Sequence, residues 1–281
     1  MNNAQSCPVS KLEKLLVATD RSVFSEGAIA AAIFFAKHCS SKLYVMTIVE
    51  KNPEYETAGA ELLQKETEEA ARYLSSLKVR ALEELPSCET ILRRGDNASR
   101  LIVEEATQKK IDMIAVGRRG RSGLEKVLLG SAAAKVIGHA PCKVLVVPRA
   151  TRIGYKNILV ATDGSEHASI AGTEAIEIAK RTGSRLIVIS VVPSEDQKEK
   201  GRANAGDIAL AAQQAGVHAE KMALVGKPHE IIAETAKSMG VDLIVMGAYG
   251  KTGLKRLLMG STTEKVIGLA GCAVLVAKRD F

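Results

Sequence analysis

A long internal repeat is the feature that most constrains what this chain folds into. The segment 15–20 recurs at 158–163, an offset of 143 residues, and the segment 135–138 recurs at 265–268, an offset of 130. A repeat of domain size indicates that the chain is a duplication, in which each half forms a similar unit. The two offsets differ by 13, so the first half must contain a longer insertion, mostly between its second strand and Gly95.

Each half also contains a glycine pattern of the form G-x-x-G-x9-G-S. Its members are Gly117, Gly120, Gly130 and Ser131 in the first half, and Gly247, Gly250, Gly260 and Ser261 in the second. Each pattern follows an apolar run, 111–116 or 241–246, that is typical of a buried strand. Glycine at such a turn permits positive φ and leaves no Cβ to obstruct a ligand, while the next helix start offers unpaired N–H groups to an anion. The pattern therefore predicts a phosphate-binding loop in each half.

Short β-branched runs alternate with helical patterns along both halves. In the second half the predicted strands lie near 157–162, 186–192, 219–225, 241–246 and 273–277. A helix is predicted over 166–182, with Ala168, Ala171, Ala175, Ile178 and Ala179 on its inner face. The strand runs are continuously apolar, as in parallel sheets covered by helices on both faces. We predict an α/β fold of two doubly wound domains, residues 1–150 and 151–281.

The insertion in the first half has a helical composition. Residues 54–86 are rich in Glu, Ala, Leu and Lys, which predicts a long helix. The corresponding region near 195–215 predicts a shorter or looser one.

An aspartate follows the first strand of each half. Ligands of such sheets bind beyond the carboxyl ends of the strands, where Asp20 and Asp163 would meet the glycine loops. A nucleotide suits this arrangement, because the carboxylate accepts hydrogen bonds from a ribose or base while the loop amides hold phosphate. The alternative is that each aspartate caps the helix that begins just beyond it.

These segments together resemble the universal stress protein family in a tandem form. The resemblance rests on the strands that end in Thr-Asp, the apolar strand ending near 190–191, the segment 242–247 and the glycine pattern, which is typical of the ATP-binding branch. It covers nearly the whole chain apart from the first dozen residues and the insertion. It implies five-stranded parallel sheets in the order 3-2-1-4-5 and an adenine nucleotide ligand, ATP, ADP or AMP. Mg²⁺ is inferred only from the triphosphate.

The resemblance also implies a set of nucleotide-binding residues. In the second half, Asp163 would contact the adenosine and the backbone of Val191 would read the adenine edge, while Gly260 and Ser261 would hold phosphate at a helix start. The full second-half set is Thr162, Asp163, Gly164, Val191, Met246, Gly247, Gly250, Gly260, Ser261, Thr262 and Thr263. The first-half set is Thr19, Asp20, Ile48, Val116, Gly117, Gly120, Gly130 and Ser131.

The first half departs from this pattern at two places. Arg21 stands where the second half has Gly164, and Ala132 and Ala133 replace Thr262 and Thr263. Losing two hydroxyl donors is expected to weaken phosphate binding by roughly 1–3 kcal/mol. The arginines of the first loop, Arg118, Arg119 and Arg121, either compensate through charge-assisted contacts or are solvated. We predict that both halves bind nucleotide and that the second binds it more tightly.

Composition narrows the classes of partner. Lys and Arg number 39 against 32 for Asp and Glu, an excess that suits an anionic ligand but is too diffuse to predict nucleic-acid binding. With no Trp and four Phe, there is no stacking platform for single strands. The five histidines lack metal-ligand spacing, so no metal site is assigned.

The cysteines and the apolar runs bear on location. The five cysteines form no C-x-x-C pair, and Cys142 and Cys272 occupy equivalent repeat positions, which favours small buried core residues over a redox role. Residues 1–12 lack the apolar core of a signal peptide, and no apolar run is long enough to span a membrane. Free thiols without an export signal predict a cytoplasmic protein with no membrane insertion.

The last strand of each half, 144–147 or 274–277, would be an exposed apolar edge in an isolated domain. In the family these strands pair antiparallel between subunits, so we expect the two halves to pair this way within one chain. A homodimer of such chains is a further expectation, and protein partners are not identifiable.

No catalytic residue can be assigned. The chain shows no Ser-His-Asp order and no Walker lysine, so at most slow ATP hydrolysis is expected. The leading hypothesis is a nucleotide-dependent stress-response switch. The alternatives are an enzyme that splits or transfers adenylate and an interaction scaffold without nucleotide.

Overall fold

The computed structural model describes residues 7–50, 60–120, 129–151, 153–250 and 259–278. In both halves, strands alternate with helices. The first half contains β1 (Lys14–Thr19), α1 (Glu26–Cys39), β2 (Lys42–Glu50), α2 (Ala60–Leu82), β3 (Cys88–Gly95), α3 (Ala98–Lys109), β4 (Met113–Gly117), α4 (Ser131–His139) and β5 (Lys143–Val147). The second half contains β6 (Asn157–Ala161), α5 (Glu166–Thr182), β7 (Arg185–Val192), α6 (Lys198–Gln214), β8 (Ala219–Val225), α7 (Pro228–Ser238), β9 (Leu243–Gly247), α8 (Ser261–Leu269) and β10 (Ala273–Ala277).

All ten strands form one sheet in the order β3-β2-β1-β4-β5-β10-β9-β6-β7-β8. Within each half the strands are parallel in the order 3-2-1-4-5, which confirms the predicted fold class. The halves meet at β5 and β10, which pair antiparallel with Leu145 opposite Leu275. The expected pairing of the two last strands within one chain is therefore present.

Helices cover both faces of the sheet, because successive residues of each buried strand point to opposite sides. Leu15 and Val17 of β1 lie in the core on the face that α1, α2, α5 and α6 cover, whereas Leu16 and Ala18 lie in the core on the face that α3, α4, α7 and α8 cover. The predicted helix 166–182 is α5, and all five residues predicted for its inner face are buried.

An aspartate before the fourth strand of each half anchors the first strand. The Asp112 carboxylate accepts from the backbone N–H groups of Glu13 and Lys14, at 2.9 and 2.7 Å. The Asp242 carboxylate does the same for Lys156 and Asn157, at 2.8 and 2.9 Å. These contacts fix the start of the first strand against the fourth, so the opposite ends of the two strands, where the ligand would bind, are held in register.

The predicted long helix of the first half is α2. It has 23 residues, against 17 for its counterpart α6. Residues 54–59 of the predicted helix lie outside the described residues.

The cysteine prediction is wrong for two of the five residues. Cys7 and Cys39 form a disulfide, which joins the segment before β1 to the last residue of α1. Cys88, Cys142 and Cys272 are free and buried as predicted. Burial raises the pKa of Cys142 to about 12 and that of Cys272 to about 11, so these thiols are unreactive core residues. Only three cysteines therefore have the free thiols on which the prediction of a cytoplasmic location rests.

No helix in the described ranges has both the length and the apolar character needed to cross a bilayer.

Candidate functional site

In the second half, a crevice of about 230 Å³ opens beyond the carboxyl ends of β6, β7 and β9. Strand ends, the glycine loop and the first turns of α7 and α8 form its walls. Ten residues predicted for this half line it: Thr162, Asp163, Val191, Met246, Gly247, Gly250, Gly260, Ser261, Thr262 and Thr263. Gly164 is not among the lining residues. It holds the turn instead, with φ of +74° and its N–H donating to Thr162 Oγ1 at 3.0 Å.

The first half has an equivalent and larger crevice of about 440 Å³. Its lining includes all eight residues predicted for this half: Thr19, Asp20, Ile48, Val116, Gly117, Gly120, Gly130 and Ser131. Arg21, Glu50, Glu66 and Arg119 also line it, so the first crevice has more charged residues in its lining than the second.

Several lining residues were not predicted. Ala98 and Ile102 from α3 line the first crevice, and Pro228 and Ile232 from α7 line the second. The two residues of each pair are four positions apart, at the start of the helix that follows the third strand. Because the pairs occupy equivalent positions of the repeat, the repeat could have indicated them. Glu66 of α2 has no counterpart in the second half and no such signal.

The aspartates after β1 and β6 orient the serines that cap the next helical turn. Asp20 Oδ1 accepts from the N–H and hydroxyl of Ser22, at 3.1 and 2.7 Å. Asp163 Oδ1 accepts from the N–H of Ser165 at 3.0 Å. Ser22 and Ser165 are the N-caps, so the alternative in which aspartate itself caps the helix is wrong. One oxygen of each carboxylate is engaged in this way, and the second oxygen faces the glycine loop.

The second oxygen explains why Gly120 and Gly250 lack a side chain. A Cβ on Gly120 would lie 3.2 Å from Asp20 Oδ2, and one on Gly250 would lie 2.6 Å from Asp163 Oδ2. Both are close approaches, and at Gly250 the Asp163 carboxylate would have to shift to admit a Cβ. Asp20 Oδ2 is buried and has no hydrogen-bond partner among the residues that the structure describes. Burying a carboxylate oxygen without a hydrogen-bond partner costs free energy. Such an atom is suited to accept a hydrogen bond from a ligand.

Close approach also accounts for the glycines that end β4 and β9. A Cβ on Gly117 would lie 2.7 Å from the carbonyl oxygen of Phe24, and one on Gly247 would lie 2.6 Å from that of His167. None of the six glycines in the two patterns has positive φ. The expectation that they supply left-handed turns is therefore wrong. Gly117, Gly120, Gly247 and Gly250 instead leave space that a Cβ would crowd, whereas Gly130 and Gly260 have room for one.

The glycine loops lead into helix starts that have no side-chain cap. Gly130 and Gly260 are the N-caps of α4 and α8, and neither helix has a capping side-chain hydrogen bond. The first-turn amides of a helix have no intrahelical acceptor and form the positive end of its dipole. Each crevice thus combines a carboxylate with a helix start that has no side-chain cap.

The Thr263 hydroxyl has a different role from the predicted one. It is buried and donates to the carbonyl oxygen of Gly247 at 3.0 Å. Its proton is therefore engaged within the protein, although Thr263 lines the crevice as Thr262 does. Of the two hydroxyls that the first half lacks, at Ala132 and Ala133, the one equivalent to position 133 therefore donates within the protein in the second half.

Arg21 adopts the conformation of the glycine that it replaces. Its φ is +67°, and its N–H donates to Thr19 Oγ1 at 3.0 Å, as that of Gly164 does to Thr162. Its guanidinium pairs with Glu66 of α2 at 2.6 Å. The same turn is thus formed in both halves, and α2 closes the side of the first crevice.

The three loop arginines differ in location. Arg119 lines the first crevice. Arg118 does not, because its guanidinium donates to backbone carbonyls of the second half, which is neither of the two roles expected for it. Burial, and then the charge of Arg119, lowers the pKa of Arg118. Arg121 lies outside the described residues. Within the described ranges, no group of three or more His, Cys, Asp or Glu side chains is placed to hold a metal ion.

Comparison with known proteins agrees with the fold and with the duplication. The model of the universal stress protein family matches residues 11–148 and 154–278. A universal stress protein of Methanocaldococcus jannaschii is 38% identical over 141 residues, which are 44% of this chain and 83% of that protein. The crystal structure of a universal stress protein from Archaeoglobus fulgidus shares the fold, with a TM-score of 0.75 and 23% identity over 97% of this chain and 98% of its own. The crystal structure of another universal stress protein, a complex with cAMP, covers 44% of this chain and 97% of its own, with 25% identity and a TM-score of 0.37.

Proposed function

This chain belongs to the universal stress protein family, and we propose that each of its halves binds an adenine nucleotide in the crevice described above. The adenosine would lie against the aspartate and the end of the second strand, and the phosphates would lie at the start of α4 or α8. We infer ATP, ADP or AMP as the ligand, with Mg²⁺ entering on the triphosphate.

The convergence of three groups supports this proposal most directly. In the first half, Gly120 lies against the buried second oxygen of Asp20, which has no hydrogen-bond partner within the described ranges. A Cβ on Gly130 would lie 3.5 Å from the N–H nitrogen of Gly120. In the second half, Gly250 lies against Asp163, and a Cβ on Gly260 would lie 3.6 Å from the nitrogen of Gly250. In each half, a hydrogen-bond acceptor and a helix start therefore lie on either side of a glycine, Gly120 or Gly250, that has no side chain. A ligand with hydroxyl or amino donors at one end and phosphate at the other suits both.

The two halves would bind with different affinities. Thr262 adds a hydroxyl at the phosphate end of the second crevice, where the first has Ala132. Arg119 adds a cation to the first crevice, where the second has Tyr249. We infer tighter binding in the second half. The difference in binding free energy is smaller than the loss of two hydroxyl donors would give, because Thr263 is engaged within the protein.

As a function we propose a nucleotide-dependent switch of the stress response. Nucleotide would favour one arrangement of the glycine loops and of α4 and α8, and so change a surface that partners bind. Hydrolysis would be slow at most. A cytoplasmic location and a homodimer of tandem chains belong to the same proposal.

Removing the second-half carboxylate is expected to weaken ATP binding strongly. To isolate that half, Gly130→Asp would block the first crevice: the position has room for a Cβ, and an aspartate at an N-cap accepts from the first-turn amides itself. In this background we expect Asp163→Ala to raise the Kd for ATP by roughly 10- to 150-fold, the equivalent of about 1.5–3 kcal/mol for a hydrogen bond to a charged group. Isothermal titration of nucleotide-free protein with ATP and Mg²⁺ gives this value.

Gly250→Ala provides a second test of the same carboxylate. Its Cβ would displace Asp163, so we expect a comparable loss that does not add to that of Asp163→Ala. Gly206→Ala, with nothing within 4 Å of the new Cβ, is the matched control and should leave the Kd unchanged. Unaltered ATP affinity in Asp163→Ala, or no ATP binding by the parent protein, would contradict the proposal.

A further inference from the structure

The two helices that start at the crevices, α4 and α8, are each held at their far end by a cation from the other half. Arg118 Nη1 donates to the carbonyl oxygens of Gly268 and Ala270, at the end of α8, at 3.2 and 2.7 Å. Lys278 Nζ donates to those of Gly138 and Ala140, at the end of α4, at 3.4 and 2.8 Å. The last carbonyls of a helix have no intrahelical donor and form the negative end of its dipole, so a cation there stabilises the helix position.

Both helices are short enough for their two ends to move together. Each has nine residues, which corresponds to about 14 Å at 1.5 Å per residue. A shift at the carboxyl end of α8 therefore moves the amides that face the second crevice.

The two cations differ in where they come from. Arg118 belongs to the first glycine pattern itself, directly after Gly117. Its N–H donates to Val147 at 3.1 Å, and its carbonyl oxygen accepts from the N–H of Gly130, the N-cap of α4, at 2.9 Å. Lys278 lies beyond the last strand and belongs to neither glycine pattern. The residue equivalent to Arg118 in the second half is Ala248, whose side chain cannot form such a contact.

We infer that Arg118 is a positioning residue that couples the two crevices. A ligand at the start of α4 contacts Gly130, whose N–H is bonded to Arg118, and Arg118 in turn fixes the far end of α8. The coupling rests on the nucleotide binding proposed above. Its sign is positive, so occupancy of the first crevice strengthens binding in the second. Because linkage is reciprocal, occupancy of the second crevice strengthens binding in the first by the same factor.

The test compares the second-half Kd for ATP with the first crevice functional and blocked. In the wild-type protein, we expect Gly130→Asp to raise this Kd about fivefold or more, the lower end of typical coupling between sites. In an Arg118→Ala background, Gly130→Asp should leave it unchanged. Arg118→Lys keeps a cation at the contact and should restore part of the coupling. Lys278→Ala removes the equivalent contact at α4 and is the control for a general loosening between the halves. In this background, Gly130→Asp should still raise the second-half Kd, as it does in the wild-type protein.

Two results would overturn the coupling while leaving nucleotide binding intact. One is an equal second-half Kd in the wild type and in Gly130→Asp, with ATP binding retained. The other is an effect of Gly130→Asp that persists in full in Arg118→Ala. Absence of any ATP binding by the wild-type protein would instead contradict the proposed function as well, so the two failures are distinguishable.

Discussion

Replacing Glu174 alone by leucine is expected to lower the free energy of unfolding by about 3–5 kcal/mol, the cost of leaving one member of a buried ion pair without its partner. Lys143 Nζ, at the start of β5, contacts both carboxylate oxygens of Glu174 from α5 at 2.9 Å. The two side chains are 3% and 13% exposed, so water cannot replace the lost partner. The pair also joins the two halves of the chain. Urea unfolding monitored by circular dichroism measures the change.

The double variant Lys143→Met/Glu174→Leu separates the charge effect from packing. Apolar residues of similar volume often replace a buried ion pair without loss, so we expect the double variant to recover most of the stability that the single variant loses. The repeat supports this expectation, because the equivalent positions are Ala273 and Ala31, both buried and uncharged. A single Glu174→Leu variant as stable as the wild type would contradict the expected cost of leaving Lys143 buried without its partner.

Breaking the Cys7–Cys39 disulfide is expected to lower the free energy of unfolding by about 2–4 kcal/mol, because the cross-link closes a loop across 32 positions of the unfolded chain. The segment that it anchors also contributes Val9 and Leu12 to the core, at 1% and 4% exposure. Cys39→Ser and reduced wild-type protein should therefore unfold at similarly low urea concentrations.

Reductant provides the internal control for this variant. It should destabilise the wild-type protein and leave Cys39→Ser unchanged, because the other three cysteines are free thiols. If reductant shifts neither protein, the disulfide does not contribute to stability.

The fold could be predicted from the sequence because its signals are local and occur twice. Each strand is a continuous apolar run that packs on both faces, and the repeat fixes which strands are equivalent. The crevice was predictable for the same reason: Asp163 and the loop of Gly247 and Gly250 follow strands whose carboxyl ends meet at one edge of the sheet.

The remaining features depend on contacts between distant residues, which a local pattern does not encode. Cys7 and Cys39 are too far apart in sequence for their spacing to indicate a disulfide. The sequence predicts that Thr263 binds phosphate, but in the structure its hydroxyl donates to the carbonyl of Gly247. Arg118, in a loop that predicts an anion contact, instead holds a helix of the other half.

Hydrogen exchange of the wild-type protein with and without ATP tests the central claim, that both crevices bind nucleotide, most directly. The first-turn amides of α4 and α8, residues 131–133 and 261–263, have no intrahelical acceptor and should exchange readily without ligand. Saturating ATP with Mg²⁺ is predicted to slow exchange at both helix starts. Exchange that is unchanged at either helix start under saturating ATP would contradict the account.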